Sequence, residues 1–391
     1  MSGKSIAEKI EPLRNIRFMI KKNLSDKNVI VSDILNICGD YKFNGKIDTD
    51  KEVSFVGFYN EFDDVYGKDC VYVHLFGKHE KEREWLAKRA VNHGAIVVIS
   101  DYQIEEIPCI VVNDIWKVLK DLSKFYLDRY SCKTTAIAGS IGKTTTKEMV
   151  NCVLSQRFKT FCTPNNGNVL SYLAFEIQHM PMKVEQFIQE VDESYPNNAI
   201  DCSYVLQPDT VIITNIDNSH IGTLGGEKAV EEGIVRIADY AQNNGVVIIN
   251  LDDYKSTQVQ FCHNTISVGI QNQQADYLAT DIVSDNNSVK FTLNYDSEKT
   301  EIYLNCPGTH NVYNAMFAFA VGKLNGLSAK EIQKGLNKYH PMTVRQKTYH
   351  TLGRTLYVDC FNASARSIGV ALNVFKNNET QIWWKTNCSF R

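Results

Sequence analysis

The chain has 391 residues, 43% of them hydrophobic and 22% charged, with a formal net charge of −3. That balance excludes a disordered or fibrous chain and argues against the concentrated basic face that nucleic acid requires. No apolar run reaches the roughly 18 residues of a membrane helix, and residues 1–22 lack the apolar stretch of a secretory signal, so a cytoplasmic protein without membrane insertion is expected.

Eleven cysteines and nine histidines are scattered without C-x-x-C or H-x-x-H spacing, which predicts reduced thiols and no structural zinc site. The length allows two or three domains. Strand-like and helix-like segments alternate, which predicts an α/β fold with largely parallel sheets.

In chain order, residues 81–93 read as a helix closed by Gly94, followed by a buried strand at 95–100 and a short strand at 110–112. Asn113 or Asp114 then caps an amphipathic helix with Ile115, Val118, Leu119, Leu122, Phe125 and Tyr126 on one stripe. A strand at 134–138 leads into a glycine loop and a helix at 144–155. Apolar strands at 210–216 and 246–250 flank a helix whose face carries Val230, Ile234, Ile237, Ala238 and Ala241. Strands at 289–295 and 301–304 make a hairpin around Asp296-Ser297. A helix at 311–324 ends at Gly326, and Ser328 with Glu331 forms a capping box opening another. A strand at 355–359 and a helix at 364–375 follow. These divide the chain into an N-terminal α/β domain (1–132), a central domain with a mostly parallel sheet (133–339) and a short third region (340–391).

Gly139-Ser140-Ile141-Gly142-Lys143-Thr144-Thr145, between a predicted strand and a predicted helix, is the strongest motif. Glycines let backbone N–H groups curl around phosphate oxygens, and the helix N-terminus adds partial positive charge. In such a loop Lys143 reaches the β- and γ-phosphates of ATP, and Thr144 offers a hydroxyl to Mg²⁺. Ile137 stands where the longer G-x-x-x-x-G-K form would have its first glycine.

The shorter form, running on through Lys147-Glu148-Met149, resembles the Mur ligase family, most of all the branch that adds D-alanyl-D-alanine to UDP-N-acetylmuramoyl-tripeptide. Further segments resemble that family in order: 163–168 with Asn165, Asn166 and Asn168; Gln189-Glu190-Val191; Thr214-Asn215-Ile216 with His220; Gly308 through Ala315; Arg345; and Asp359-Cys360-Phe361-Asn362-Ala363. The resemblance implies that Glu190 and His220 are Mg²⁺ ligands with Thr144, that Asn311 contacts adenine, that Arg345 lies near the γ-phosphate and that Asp359 holds the ribose. Ser140 and Thr145 belong to the phosphate loop. It also implies a central ATP-binding domain, a Rossmann-like third domain, and ATP-dependent amide formation through an acyl phosphate on a UDP-linked muramoyl peptide.

Three departures are set against it. The family's carbamylated lysine falls on Ile234, with Glu231 and Glu232 as possible substitutes. The UDP-binding Asp-Ser-Arg segment is matched only by Phe58-Tyr59-Asn60. The third domain is expected to be incomplete, its functions restored only if a partner chain supplies them. An impaired amide ligase for a cell-wall precursor is therefore expected. A non-catalytic ATP-binding relative or remnant is the second reading, and another ligase of the superfamily, such as a folylpolyglutamate-type enzyme, the third.

Overall fold

The computed structural model describes residues 29–57, 69–75, 80–164, 167–181, 183–217, 224–285, 287–341, 347–351, 354–358 and 368–369. The N-terminal part contributes β1 (Tyr41–Asn44), β2 (Val56–Gly57), β3 (Cys70–Val73), β4 (Ala95–Ser100) and β5 (Cys109–Val112), with helices α1 (Val31–Cys38), α2 (Glu80–Asn92) and α3 (Ile115–Asp128). Its strands form one sheet in the order β1-β5-β4-β3-β2, parallel except for the antiparallel edge strand β1.

The central part contributes β6 (Lys133–Ala138), β7 (Thr160–Cys162), β8 (Gln186–Glu190), β9 (Thr210–Ile213), β10 (Val246–Asn250), β11 (Asn264–Gly269), β12 (Tyr277–Ser284), β13 (Val289–Tyr295) and β14 (Glu298–Leu304). They build a nine-stranded sheet in the order β14-β13-β12-β11-β10-β9-β6-β8-β7. Strands β7 to β12 run parallel, and β13 and β14 close one edge antiparallel. Helices α4 (Lys143–Leu154), α5 (Leu170–His179), α6 (Asn198–Leu206), α7 (Glu227–Val235), α8 (Tyr254–Thr257), α9 (His310–Leu324) and α10 (Ala329–Leu336) cover it. An antiparallel pair, β15 (Lys347–Thr351) and β16 (Arg354–Val358), stands apart from both sheets.

The α/β architecture with parallel-rich sheets is as expected, and local signals explain most elements. Gly94 takes a φ of 110° and ends α2. Asp114 caps α3 by accepting the Lys117 N–H, and Ile115, Val118, Leu119, Leu122 and Tyr126 are buried, with Phe125 half-buried beside them. Each such side chain contributes about 1.5–3 kcal/mol relative to exposure. The β13–β14 turn holds Asp296 and Ser297 at φ of 45° and 63°, the left-handed pair of a tight hairpin, so β14 begins at Glu298, earlier than expected. The predicted capping box at Ser328 and Glu331 is present.

Two further segments differ from expectation. Strand β9 stops at Ile213; beyond it the Thr214 N–H still donates to the Ala138 carbonyl, while the Thr214 and Asn215 side chains bond the glycine loop. Helix α7 stops at Val235 and tightens into a 3₁₀ turn at Arg236–Ala238, leaving Ala241 beyond it. The helix expected at 364–375 lies outside the described residues, except Ile368 and Gly369.

One apolar core runs without interruption from the first sheet, through α3, to α5, α6 and the near face of the second sheet. Helix α3 packs on both α5 and α6. A second core fills the far face, between the sheet and helices α4, α9 and α10. Polar ties reinforce the first junction: Gln178 of α5 accepts the Val56 N–H at 2.9 Å and donates to the Val56 carbonyl at 3.0 Å. Lys120 of α3 pairs with Asp201 of α6 at 2.7 Å.

Candidate functional site

In the nine-stranded sheet β6 lies between β8 and β9: the chain runs from β6 out to the edge strand β7 and back to β8 on one side, then crosses to β9 on the other. Parallel sheets open a crevice beyond the carboxyl ends of their strands where the order reverses in this way. Three adjacent strands deliver chemistry there. The glycine loop follows Ala138 of β6, Glu190 ends β8, and Thr214 and Asn215 follow β9.

The loop's shape follows from two glycines. Gly139 has a φ of 127°, and a Cβ on it would run into Thr214 Oγ1 and lie 2.9 Å from the Asn215 carbonyl. Gly142, at a φ of 89°, is the N-cap of α4, and a Cβ there would lie 2.8 Å from Asn314 Oδ1. Neither position admits a side chain without strain. The loop is clasped by the segment after β9. Thr214 Oγ1 donates to the Ile141 carbonyl at 2.7 Å, Asn215 Nδ2 to the same oxygen at 2.8 Å, and Asn215 Oδ1 accepts the Ile141 N–H at 3.2 Å. The Ser140 N–H donates to the Asn215 carbonyl at 3.0 Å, and its hydroxyl exchanges hydrogen bonds with the Asp217 backbone.

Lys143 Nζ donates to the Gly139 carbonyl at 2.6 Å and to Glu193 Oε2 at 2.9 Å, with Asp192 Oδ1 at 3.7 Å. Burial alone would lower the ammonium's pKa, but the carboxylates of Glu193 and Asp192 outweigh it and leave the group raised. Thr144 and Thr145 are buried in the first turn of α4. Thr146 Oγ1 donates to Asn314 Oδ1, Asn314 Nδ2 to Asn311 Oδ1, and Asn311 Nδ2 to the Pro307 carbonyl. Asn311 is thus fully buried in a chain of side-chain bonds that fastens α9 to α4.

Glu190 is 1% exposed, a buried strand residue rather than a solvated charge. Its Oε1 accepts from Asn168 at 3.1 Å. Its Oε2 has no hydrogen-bond partner, and Lys147 Nζ stands 4.0 Å away while donating to the Thr163 carbonyl. A buried carboxylate oxygen left unbonded fits a cation ligand. Among the described residues no three His, Cys, Asp or Glu side chains form a metal cage. Mg²⁺ held largely by phosphate and water oxygens needs only one or two protein ligands, so the carboxylate of Glu190 with the hydroxyl of Thr144 fits it.

The structure therefore brings together Gly139, Ser140, Gly142, Lys143, Thr144, Thr145, Glu190 and, through Asn314, Asn311. His220, Arg345, Asp359, Asn165, Asn166 and Phe58 through Asn60 lie outside the described residues. Ile234 is fully buried in the first core. Glu232 is exposed beside Lys228 at 3.8 Å and Glu231 is half-buried. Asp192 and Glu193 were not singled out in the sequence. The signal available was an acidic pair just past the carboxyl end of a strand, but that strand itself was not recognised.

Comparison with known proteins gives concordant results. Residues 137–322 match the Mur ligase middle domain. The UDP-N-acetylmuramoyl-tripeptide--D-alanyl-D-alanine ligase of Bacillus subtilis (strain 168) is 28% identical over 298 residues, covering 75% of this chain and 64% of that protein. This chain thus spans slightly under two thirds of that relative's length. A crystal structure of MurF from Acinetobacter baumannii superposes with a TM-score of 0.81 at 23% identity, covering 90% of this chain and 77% of that one. MurF ligase from Thermotoga maritima, solved in complex with ADP, gives a TM-score of 0.74 at 19% identity, over 82% and 74% of the two chains. These two structures show a shared fold.

Proposed function

We propose that this chain, which belongs to the Mur ligase family, binds ATP in its glycine loop and joins a UDP-linked muramoyl peptide to an amine through an amide bond. The observation that carries the reading is that a clasped glycine loop, a helix N-terminus, Lys143 and the unbonded oxygen of Glu190 gather at the carboxyl ends of β6, β8 and β9. ATP transfers its γ-phosphoryl group to the peptide's carboxylate, leaving ADP. The amine attacks the acyl phosphate carbon, loses a proton, and inorganic phosphate departs.

The loop's backbone and Lys143 hold the phosphates, so positioning and charge neutralisation do most of the work. Thr144, Glu190 and His220 would hold Mg²⁺, which would supply positive charge beside the phosphates. In the same reading Arg345 and Asp359 contact the γ-phosphate and the ribose, and Asn311, buried and bonded to Asn314 and the Pro307 carbonyl, reaches adenine only if those bonds open. The division at 1–132, 133–339 and 340–391, with the first domain taking the UDP-linked substrate, belongs to the same proposal, as does a cytoplasmic location. Among the described residues no helix is long and apolar enough to cross a membrane.

A second reading, nucleotide binding without turnover, is favoured by one observation. Where the resemblance calls for a carbamylated lysine, Ile234 is packed into the core, and Glu232 faces solvent. Calorimetric titration with Mg·ATP, beside a Lys143→Ala variant, tests the shared premise. Binding that falls at least about tenfold in the variant is expected, and equal binding would sink both readings. Adding UDP-N-acetylmuramoyl-tripeptide and D-alanyl-D-alanine then separates them: ADP release with an amide product supports the ligase, and binding without release the second reading.

A further inference from the structure

The loop lysine is already occupied. Lys143 and Glu193 form an ion pair at 2.9 Å in which the two side chains are 11% and 1% exposed. Asp192 stands 3.7 Å from the same ammonium, and Glu190 ends the strand that precedes both acids. Among the described residues the carboxylates of Glu190, Asp192 and Glu193, with Glu148 at 3.4 Å from Lys147, thus outnumber the two ammonium groups, Lys143 and Lys147, beside the glycine loop. Glu193 is also backed by α7: a Cβ at Gly233 would lie 3.6 Å from Glu193 Cβ. Its side chain is boxed between the glycine loop and that helix, which holds it against the lysine. A buried, hydrogen-bonded pair of this kind is costly to open, because either partner left alone is an uncompensated charge.

Phosphate arriving without a cation must compete with Glu193 for Lys143 and enters a crevice with an excess of negative charge. Phosphate arriving with a divalent cation brings positive charge that Glu193 and Glu190 can face once the pair opens. We propose that Glu193 is a positioning residue that holds Lys143 in place without nucleotide and makes nucleotide binding conditional on a divalent cation. This rests on the ATP-binding reading above and adds to it the residue that enforces cation dependence.

The test is calorimetric titration with ADP in excess Mg²⁺ and, separately, in EDTA, for the wild-type chain, Glu193→Gln and Glu193→Asp. In the wild-type chain, binding should be much weaker in EDTA. In Glu193→Gln the ratio of the two dissociation constants should shrink by about tenfold, mainly because cation-free ADP binds more tightly. A residue that merely supported the fold would weaken both titrations together and leave the ratio unchanged, which would overturn the proposal. Glu193→Asp, with the charge kept but the reach shortened, should shrink the ratio by about threefold. If Glu193→Gln does not fold, an unchanged ratio in folded Glu193→Asp overturns it equally. No ADP binding by the wild-type chain in either buffer would instead sink the ATP-binding reading and the proposal with it.

Discussion

Glu176 shows how one buried side chain can set the pH response of the region behind the glycine loop. It lies on α5 at 7% exposure, and desolvation pushes its carboxyl up to about 7, against the opposing pull of the Tyr172 hydroxyl and the Lys147 charge. The folded chain then holds a proton, between about pH 4.5 and 7, that the unfolded chain has released. For a raised carboxyl the contribution to stability is fully present below about 4.5 and is lost as pH rises through about 7. At about 1.4 kcal/mol per unit the loss is bounded at about 3 kcal/mol. Glu176→Gln, which keeps the neutral shape, is expected to flatten the decline in melting temperature across that window. Parallel melting curves for the two proteins against pH would refute the assignment.

At the scale of elements, the close seating of α10 on α4 depends on the absence of one side chain. A Cβ at Gly335 would lie 2.6 Å from both the Cys152 carbonyl and Val153 Cα, which are backbone atoms in the last turn of α4 and cannot step aside. Gly335→Ala should lower the urea unfolding free energy by about 1–3 kcal/mol, the range for overpacking a close contact. No loss would mean that the helices separate at little cost.

The same scale shows what the sequence reveals and what it conceals. Ala95–Ser100 and Val246–Asn250 were legible as strands because their runs are apolar and buried. Gln186–Glu190 was not, although all five residues are buried. Its polar side chains break the apolar run, and their partners lie elsewhere in the chain: Gln186 donates to Asn325, Gln189 to the Gly167 carbonyl, and Glu190 accepts from Asn168. Polar residues whose partners lie far along the chain carry little local signal. That is also why Asp192 and Glu193 went unnoticed while the glycine loop, a strictly local pattern, did not.

For the whole molecule, the shared core and α5 make the two large sheets one mechanical body. Phe175 and His179 of α5 pack against Phe55 beside the first sheet, with ring centroids 6.3 and 5.2 Å away, while Glu176 of the same helix senses Lys147 of α4. Gln178→Ala would strip the amide that satisfies both backbone groups of Val56, at about 1–3 kcal/mol. The variant is expected to melt at a lower temperature, still in a single calorimetric transition. Two resolved transitions in the unaltered chain would show that the sheets fold independently.

The clasp on the glycine loop has a consequence in time as well as in space. Thr214 and Ile141, whose bond closes it, are 73 residues apart in the chain, and β7, β8, α5 and α6 must be laid down between them. Such long-range closures come late in folding, after local helices and hairpins have formed. The cradle therefore cannot exist in a half-made chain, and during synthesis the capacity to grip phosphate emerges only once the middle of the sheet is complete.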